Sequence, residues 1–304
     1  MRQSPIVIAL TAIIIFASCG GSAPPVDPAY VAEIETSWAE REARLTADDG
    51  WLTLTGLYWL EPGPNSVGSS PESAILLPEG AAPGHVGVLE LAEDGQVTLN
   101  PSSADELTVN GDPAEERELA SDATGAPDQL RAGRMLFYLI ARGDRIGVRV
   151  KDPKAPARHD FKGLDHFPVD PAFRISATLD LYPEPREVAI PTVIGEPSMM
   201  LAPGLLRFEI NGKTVSLEPY ISTPDDRNLF LVFRDATSGD TTYGAGRFLD
   251  AELAEDSIEV VLDFNLATNP PCAFTPFATC PLPTPENTLF VAIEAGERYS
   301  GPAH

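Results

Sequence analysis

From Trp51 onward the chain is cut into short apolar runs by turn residues, and this punctuation constrains the fold more than any other feature. Trp51–Leu60, Ala74–Leu77, Val86–Leu91, Gln96–Leu99, Leu107–Val109, Met135–Ile140 and Arg145–Val150 are each too short for a helix. Glu93-Asp94-Gly95, Asn110-Gly111 and Arg142-Gly143-Asp144 separate several of them and favour reversals. A second set follows: Phe173–Leu181, Arg186–Ile190, Leu205–Ile210, Thr214–Pro219, Leu229–Asp235, Tyr243–Asp250, Ser257–Asp263 and Thr288–Ala295. Asn211-Gly212 between two of these is a hairpin signal. The 30 prolines point the same way, because proline breaks helix interiors and sheet centres alike and accumulates in turns. The expected fold is mainly β, with one sandwich followed by a second sandwich or barrel.

One helix precedes the strands. Val31, Ile34, Trp38 and Leu45 recur at helical spacing between charged residues, and Asp27-Pro28 supplies a cap and a first-turn proline. The segment Lys151–Pro171 interrupts the strand rhythm with Pro153, Pro156, Pro168 and Pro171 and reads as a linker. The expected divisions are a signal over 1–19, a tether over 20–27 and the helix over 28–50. An N-terminal β lobe over 51–151, a linker over 152–171 and a C-terminal β lobe over 172–304 complete them.

The N-terminus sets an expected location. Arg2 precedes the apolar run Ile6–Ala17, which has the length of a signal-peptide core and is short for a spanning helix. Phe16-Ala17-Ser18-Cys19 resembles a bacterial lipobox, with Phe16 where Leu is usual. Cys19 is thereby the expected lipidated residue. The mature protein is expected in the bacterial cell envelope, on the outer membrane facing the periplasm, with a lipid anchor as its membrane contact. Cys272 and Cys280 then remain as a pair in an oxidising compartment, which reads as a disulfide.

The 304 residues carry 45 Asp and Glu against 21 Lys and Arg, a net charge of -24. Phosphate-backbone binding needs clustered cations, so this balance excludes nucleic acid as an expected partner. The expected partners are a small ligand or an envelope protein.

No nucleophile elbow, zinc-protease helix motif, closely spaced cysteine pair or P-loop is present. No metal site and no cofactor are expected; His159, Asp165 and His166 sit together only as linker residues. The densest segment is Asp263–Asn287, where six prolines and both paired cysteines fall in one non-regular loop. It reads as a stapled loop sealing a β lobe, with a ligand site or a thiolate metal site as the alternatives. In Leu231–Leu249, Tyr243 and Arg247 are four residues apart, which on a strand places them on one face. Arg247 is expected either to greet an anion there or to lie buried against Asp235 or Asp263. The candidate ligand-binding residues are Tyr243, Arg247, Asp263, Asn265, Glu286 and Asn287.

Four strings carry a family resemblance: DGWLTLTGLYWLEPG, FKGLDHFPVDP, LFLVFRDATSGDTTYGAGRFLD and LDFNLATNPPCAFTPFATCPLPTPEN. They resemble a family of bacterial proteins of unknown function, many exported or lipid-anchored. The resemblance implies a paired architecture and the cysteine-containing motif, and no activity. In the N-terminal lobe, NSVGSS, GHVGVLEL and LTVNGDP resemble the order of turns in forkhead-associated β-sandwiches, which read phosphothreonine through an Arg. Here Gly68 is followed by Ser69, and Ala82-Pro83-Gly84 precede His85, so phosphopeptide reading is not implied.

Three functions compete on these residues. The first is a binding or scaffold lipoprotein with a pocket near the Cys272–Cys280 loop. The second is a periplasmic, hydrolase-like enzyme for a small anionic or glycan substrate, with Asp263 and Glu286 as an acid–base pair. The third, thiol redox or metal handling, suits the wide cysteine spacing least.

Overall fold

The computed structural model describes residues 26–102, 106–255 and 257–301. The signal, Cys19 and most of the tether lie outside the described residues.

The helix α1 spans Pro28–Thr46, with the Asp27 carboxylate accepting from the Ala29 N–H at 2.9 Å and Pro28 in the first turn. Ile34 and Leu45 are buried, and Trp38 and Arg41 lie on the same side. After a 3-10 turn at Trp51–Thr53 come β1 (Leu54–Trp59), β2 (Gly63–Gly68), β3 (Ile75–Leu76), β4 (Gly87–Leu91) and β5 (Val97–Pro101). They are followed by β6 (Leu107–Val109), β7 (Asp112–Pro113), β8 (Arg117–Glu118), β9 (Leu130–Ala132), β10 (Met135–Arg142) and β11 (Arg145–Lys151). Two sheets result, in the orders β1-β11-β10-β9-β6-β7 and β3-β2-β4-β5-β8. Alternation aims Leu89, Val97, Leu99, Phe137, Val148 and their neighbours into one core between the sheets.

The linker expected over 152–171 contains the short helix α2 (Pro156–His159). It is strapped rather than free. Arg158 donates to Thr46 O at 2.7 Å, the Leu164 N–H donates to Glu42, and the Phe167 N–H donates to Gly296 O.

The second strand set is β12 (Arg174–Ile190), β13 (Ser198–Ile210), β14 (Lys213–Leu217), β15 (Asn228–Phe233), β16 (Arg247–Glu252) and β17 (Glu259–Asp263). The order β14-β13-β12-β17 forms one sheet, and β15-β16 forms a ribbon. Along β13, Leu206, Phe208 and Ile210 point inward while Arg207 and Glu209 face water. These residues meet Leu229, Leu231, Phe233, Leu249 and Phe264 in a second core. Single bridges at Leu201–Ile221 and Tyr220–Phe230 connect the sheet to the ribbon. The Asn211-Gly212 turn closes β13 on β14 with both residues at positive φ, 51° and 71°, as a two-residue hairpin of this hand requires.

The structure corrects three expectations. The runs Phe173–Leu181 and Arg186–Ile190 are one long strand with a register shift between Leu181 and Arg186. Thr288–Ala295 is not a strand; it lies beside the segment after β15, with only an isolated bridge from Thr288 to Arg234. Tyr243 and Arg247 do not share a strand face. The Gly246 N–H closes a turn onto Tyr243 O at 3.0 Å, and β16 begins only at Arg247. Gly246 has φ 101°, and a Cβ there would lie 2.6 Å from Phe233 O, so the turn depends on glycine.

Candidate functional site

Arg247 is fully buried in the C-terminal lobe. Its guanidinium pairs with Asp235 at 2.8 Å and donates to the carbonyls of Ile293 and Ala295. Burial pulls its pKa down and the Asp235 charge opposes that pull. Asp235 also accepts from Thr237 N at 2.8 Å and Thr237 Oγ1 at 2.6 Å. Of the alternatives read from the sequence, the structure places Arg247 against Asp235, as an internal brace that ties the irregular Thr288–Ala295 segment to β16.

Tyr243 is buried beneath the cysteine loop, its hydroxyl donating to Cys272 O at 3.2 Å and its ring edge-on to Tyr299 at 4.9 Å. The recess beside it, lined by Gly239, Thr242, Gly244 and Tyr299, holds about 110 Å³. That is well below the roughly 300 Å³ at which drug-sized ligands begin to fit.

Asp263 and Asn265 end β17 and receive the helix. Asp263 accepts from the Tyr30 hydroxyl at 2.7 Å and from the Asn265 N–H at 3.1 Å, and lies 3.6 Å from Arg174. Burial, then the hydrogen bond to Asp263, raises the Tyr30 pKa well above its ordinary value. Asn265 accepts from Asp170 N and donates to Asp170 O, clamping the end of the strap to the lobe. Asn287 does similar work elsewhere. Fully buried, it accepts from Glu218 N at 2.8 Å and donates to Glu218 O at 2.9 Å and Val232 O at 3.1 Å. Glu286 beside it is exposed.

The proposed acid–base pair is not brought together. Asp263 faces Arg174 at the start of β12, whereas the Glu286 charge is felt by Arg186, twelve residues further along that strand. At about 3.3 Å per strand residue, the two carboxylates do not share a pocket.

Cys272 and Cys280 form a disulfide across an eight-residue separation, and both are buried. The loop does not seal the C-terminal lobe alone. It is the joint between the lobes: Thr275 Oγ1 donates to Leu54 O at 3.3 Å, and Thr279 Oγ1 accepts from Arg142 at 3.0 Å and Arg149 at 3.2 Å. Among the described residues no group of three or more His, Cys, Asp and Glu side chains is arranged to hold a metal ion.

Sequence reasoning passed over the polar dock of α1. Trp38 donates to Asn265 O at 2.8 Å and stacks on His166 at 4.0 Å between centroids. Arg41 reaches the buried Glu297 at 3.3 Å and Asn269 O at 3.0 Å. The Trp38 and Arg41 spacing on the helix was a usable signal; their partners, more than a hundred residues away, left none. Burial lowers the His166 pKa below its usual 6.5, with the Asp165 and Glu42 charges opposing. A depressed folded value means that stability present above 6.5 is lost as pH falls toward it. Glu297 acts in the opposite sense, because burial raises its pKa while Arg41 opposes, and its contribution is lost as pH rises. The His166 part is isolated by His166→Phe, which keeps an aromatic surface on Trp38. Urea denaturation from about pH 7.5 to pH 5.5 is expected to show a steeper fall for the native protein than for the variant. Equal slopes would remove His166 from the account.

A cavity of about 420 Å³ also went unread in the sequence. Met199, Met200, Tyr220, Ile221 and Phe230 supply apolar and aromatic walls, and Asp226 and Asp250 line the same space. The Asp226 oxygens accept from Asn228 N at 2.9 Å and Ser222 N. Asp250 has no such bond; its side chain is exposed to solvent, and partial burial of its carboxyl raises its pKa against the pull of the Arg41 charge. A cavity of this size and lining suits a small ligand with an apolar body and a positive group.

Comparison with known proteins gives no activity. No curated protein matches the chain. An uncharacterized protein of Haloarcula marismortui, solved by NMR in solution, is 35% identical, covering 46% of this chain and 78% of its own, with a TM-score of 0.40. The FHA1 domain of yeast Rad53 is 15% identical over 40% of this chain and 71% of its own, with a TM-score of 0.20. Residues 159–298, which hold most of the strap, Arg247, Asn287 and the cysteine loop, match the family described as protein of unknown function (DUF1684).

Proposed function

We propose that this chain is a cell-envelope lipoprotein, anchored through Cys19, that binds a small ligand rather than transforming one. What supports binding is the cavity bounded by Met199, Met200, Tyr220, Ile221 and Phe230, with Asp250 as its carboxylate free of hydrogen bonds. The ligand class is an organic cation with an apolar body: the walls take the body, and Asp250 and Asp226 take the charge. The candidate residues near the cysteine loop serve as the frame. Arg247, Asn265 and Asn287 spend their polar groups inside the protein, and Asp263 holds α1. The lipobox-like Phe16–Cys19 supports the anchor, and the short tether to α1 would keep the body close to the membrane surface.

The test uses benzyltrimethylammonium as the probe in calorimetric titration. Saturable binding is expected near neutral pH, weakened about tenfold or more by Asp250→Asn, the equivalent of one lost charge contact of about 1.4 kcal/mol. Because the Asp250 pKa is raised, binding is also expected to fall with acid earlier than for an ordinary carboxylate. Absence of saturable binding by the native protein would sink the cation reading. Metabolic labelling with palmitate, abolished by Cys19→Ala, tests the anchor.

A further inference from the structure

Arg149, on β11, is only 5% exposed and makes no ion pair among the described residues. In a chain with 45 acidic residues this is unexpected, since buried cations are ordinarily paired. Its five N–H donors find two acceptors: Tyr138 Oη at 3.4 Å and Thr279 Oγ1 at 3.2 Å. The Nε–H is buried with no acceptor at all.

The surroundings add positive charge. Arg142 donates to the same Thr279 hydroxyl, so two guanidinium groups meet on one neutral oxygen. Arg142 has Asp122 at 2.9 Å to balance it, and Arg149 has no counterpart. Lys151 also lies over Tyr138, 5.3 Å from the ring centroid, and its only polar partner among the described residues is the Asp49 carbonyl. Two cations thus lie near the Tyr138 ring, and neither is paired with a carboxylate among the described residues. The rings of Trp51 at 5.0 Å and Tyr138 at 5.9 Å offset part of the desolvation of Arg149 through their faces. A ring face does not supply the in-plane acceptor that Nε–H requires.

We propose that the joint between the two lobes is an anion site, in which Arg149, with Arg142 and Lys151 nearby, binds a small oxyanion. A planar guanidinium edge matches two oxygens of a phosphate, sulfate or carboxylate group. The site lies where β10 and β11 of the N-terminal lobe meet Thr279 of the cysteine loop. An anion there would bridge the lobes and be felt in the stability of the whole chain. This site is separate from the cation cavity and independent of it.

The experiment is thermal unfolding of the full chain against inorganic phosphate at constant ionic strength, with acetate as a second probe and ³¹P line broadening as a direct readout. A saturable rise in Tm in the low millimolar range is expected, with broadening of the phosphate signal. Arg149→Met should abolish both, and Arg149→Lys, which keeps the charge and loses the fork, should weaken binding about tenfold or more. If Arg149→Met fails to fold, the lysine variant and the line broadening carry the test. A native protein that neither phosphate nor acetate stabilises saturably overturns the proposal, as does undiminished binding by a folded Arg149 variant. If acetate acts as well as phosphate, the site takes carboxylates; if phosphate alone acts, it takes tetrahedral oxyanions.

Discussion

Replacing Arg247 with methionine is expected to lower the stability of the protein by about 3–5 kcal/mol, the usual consequence of breaking a buried ion pair from one side. Both side chains of the pair are fully inaccessible. The substitution strands the Asp235 carboxylate and two carbonyls, Ile293 O and Ala295 O, that the guanidinium now satisfies. Unpaired buried acceptors lose their water without replacement, and that loss outweighs the favourable burial of the methionine side chain. Urea denaturation followed by tryptophan fluorescence measures it. The double variant Arg247→Met with Asp235→Leu is expected to recover only part of the loss. Asp235 also receives Thr237 N, Thr237 Oγ1 and Ile293 N, and leucine satisfies none of them. A cost below about 1 kcal/mol for the single variant would show that the brace is dispensable.

Converting both Cys272 and Cys280 to serine is expected to cost about 2–3 kcal/mol, the loop-entropy contribution for so short a closure. The effect should be spatially specific. The loop carries Thr275 to Leu54 and Thr279 to Arg142 and Arg149, so loosening it weakens the contact between lobes before either core is disturbed. Hydrogen exchange in the variant should rise first in β1, β10 and β11 where they meet the loop. Uniform exchange across both lobes would count against a joint and for simple global destabilisation. An intact mass of periplasmically produced protein lighter by the two thiol hydrogens establishes the bond directly.

The outline of the fold was legible because its signals are local. Alternation along Val97–Leu99 or Leu206–Ile210, the Asn211-Gly212 turn and the Asp27-Pro28 cap each depend on residues a few positions apart. Where local signals weaken, so did the reading. β2 passed unnoticed because Gly63–Gly68 includes two glycines, a proline and an asparagine; it is held by pairing with β4 rather than by propensity. Tyr243 was assigned to a strand because Gly244-Ala245-Gly246 does not announce which glycine turns. Gly246 has a positive φ and packs so closely on Phe233 and Pro283 that a Cβ there would clash, which local sequence does not reveal.

The candidate site divides along the same line. The sequence by itself determined that Cys272, Cys280, Asp263, Asn265 and Asn287 sit in a proline-stiffened segment that is costly unless it packs or binds, and that Arg247 could take Asp235 as partner. Only the tertiary structure decided that nearly all of them are bonded inward. It also decided that the cysteine loop joins two lobes, and that, among the described residues, Arg149 is buried without an ion pair and Asp250 lines a cavity without a hydrogen bond. The reason is distance along the chain. Arg149 meets Thr279 across 130 residues, and Trp38 meets Asn265 across 227. Whether a charge is paired or waiting depends on such contacts, which no spacing rule encodes.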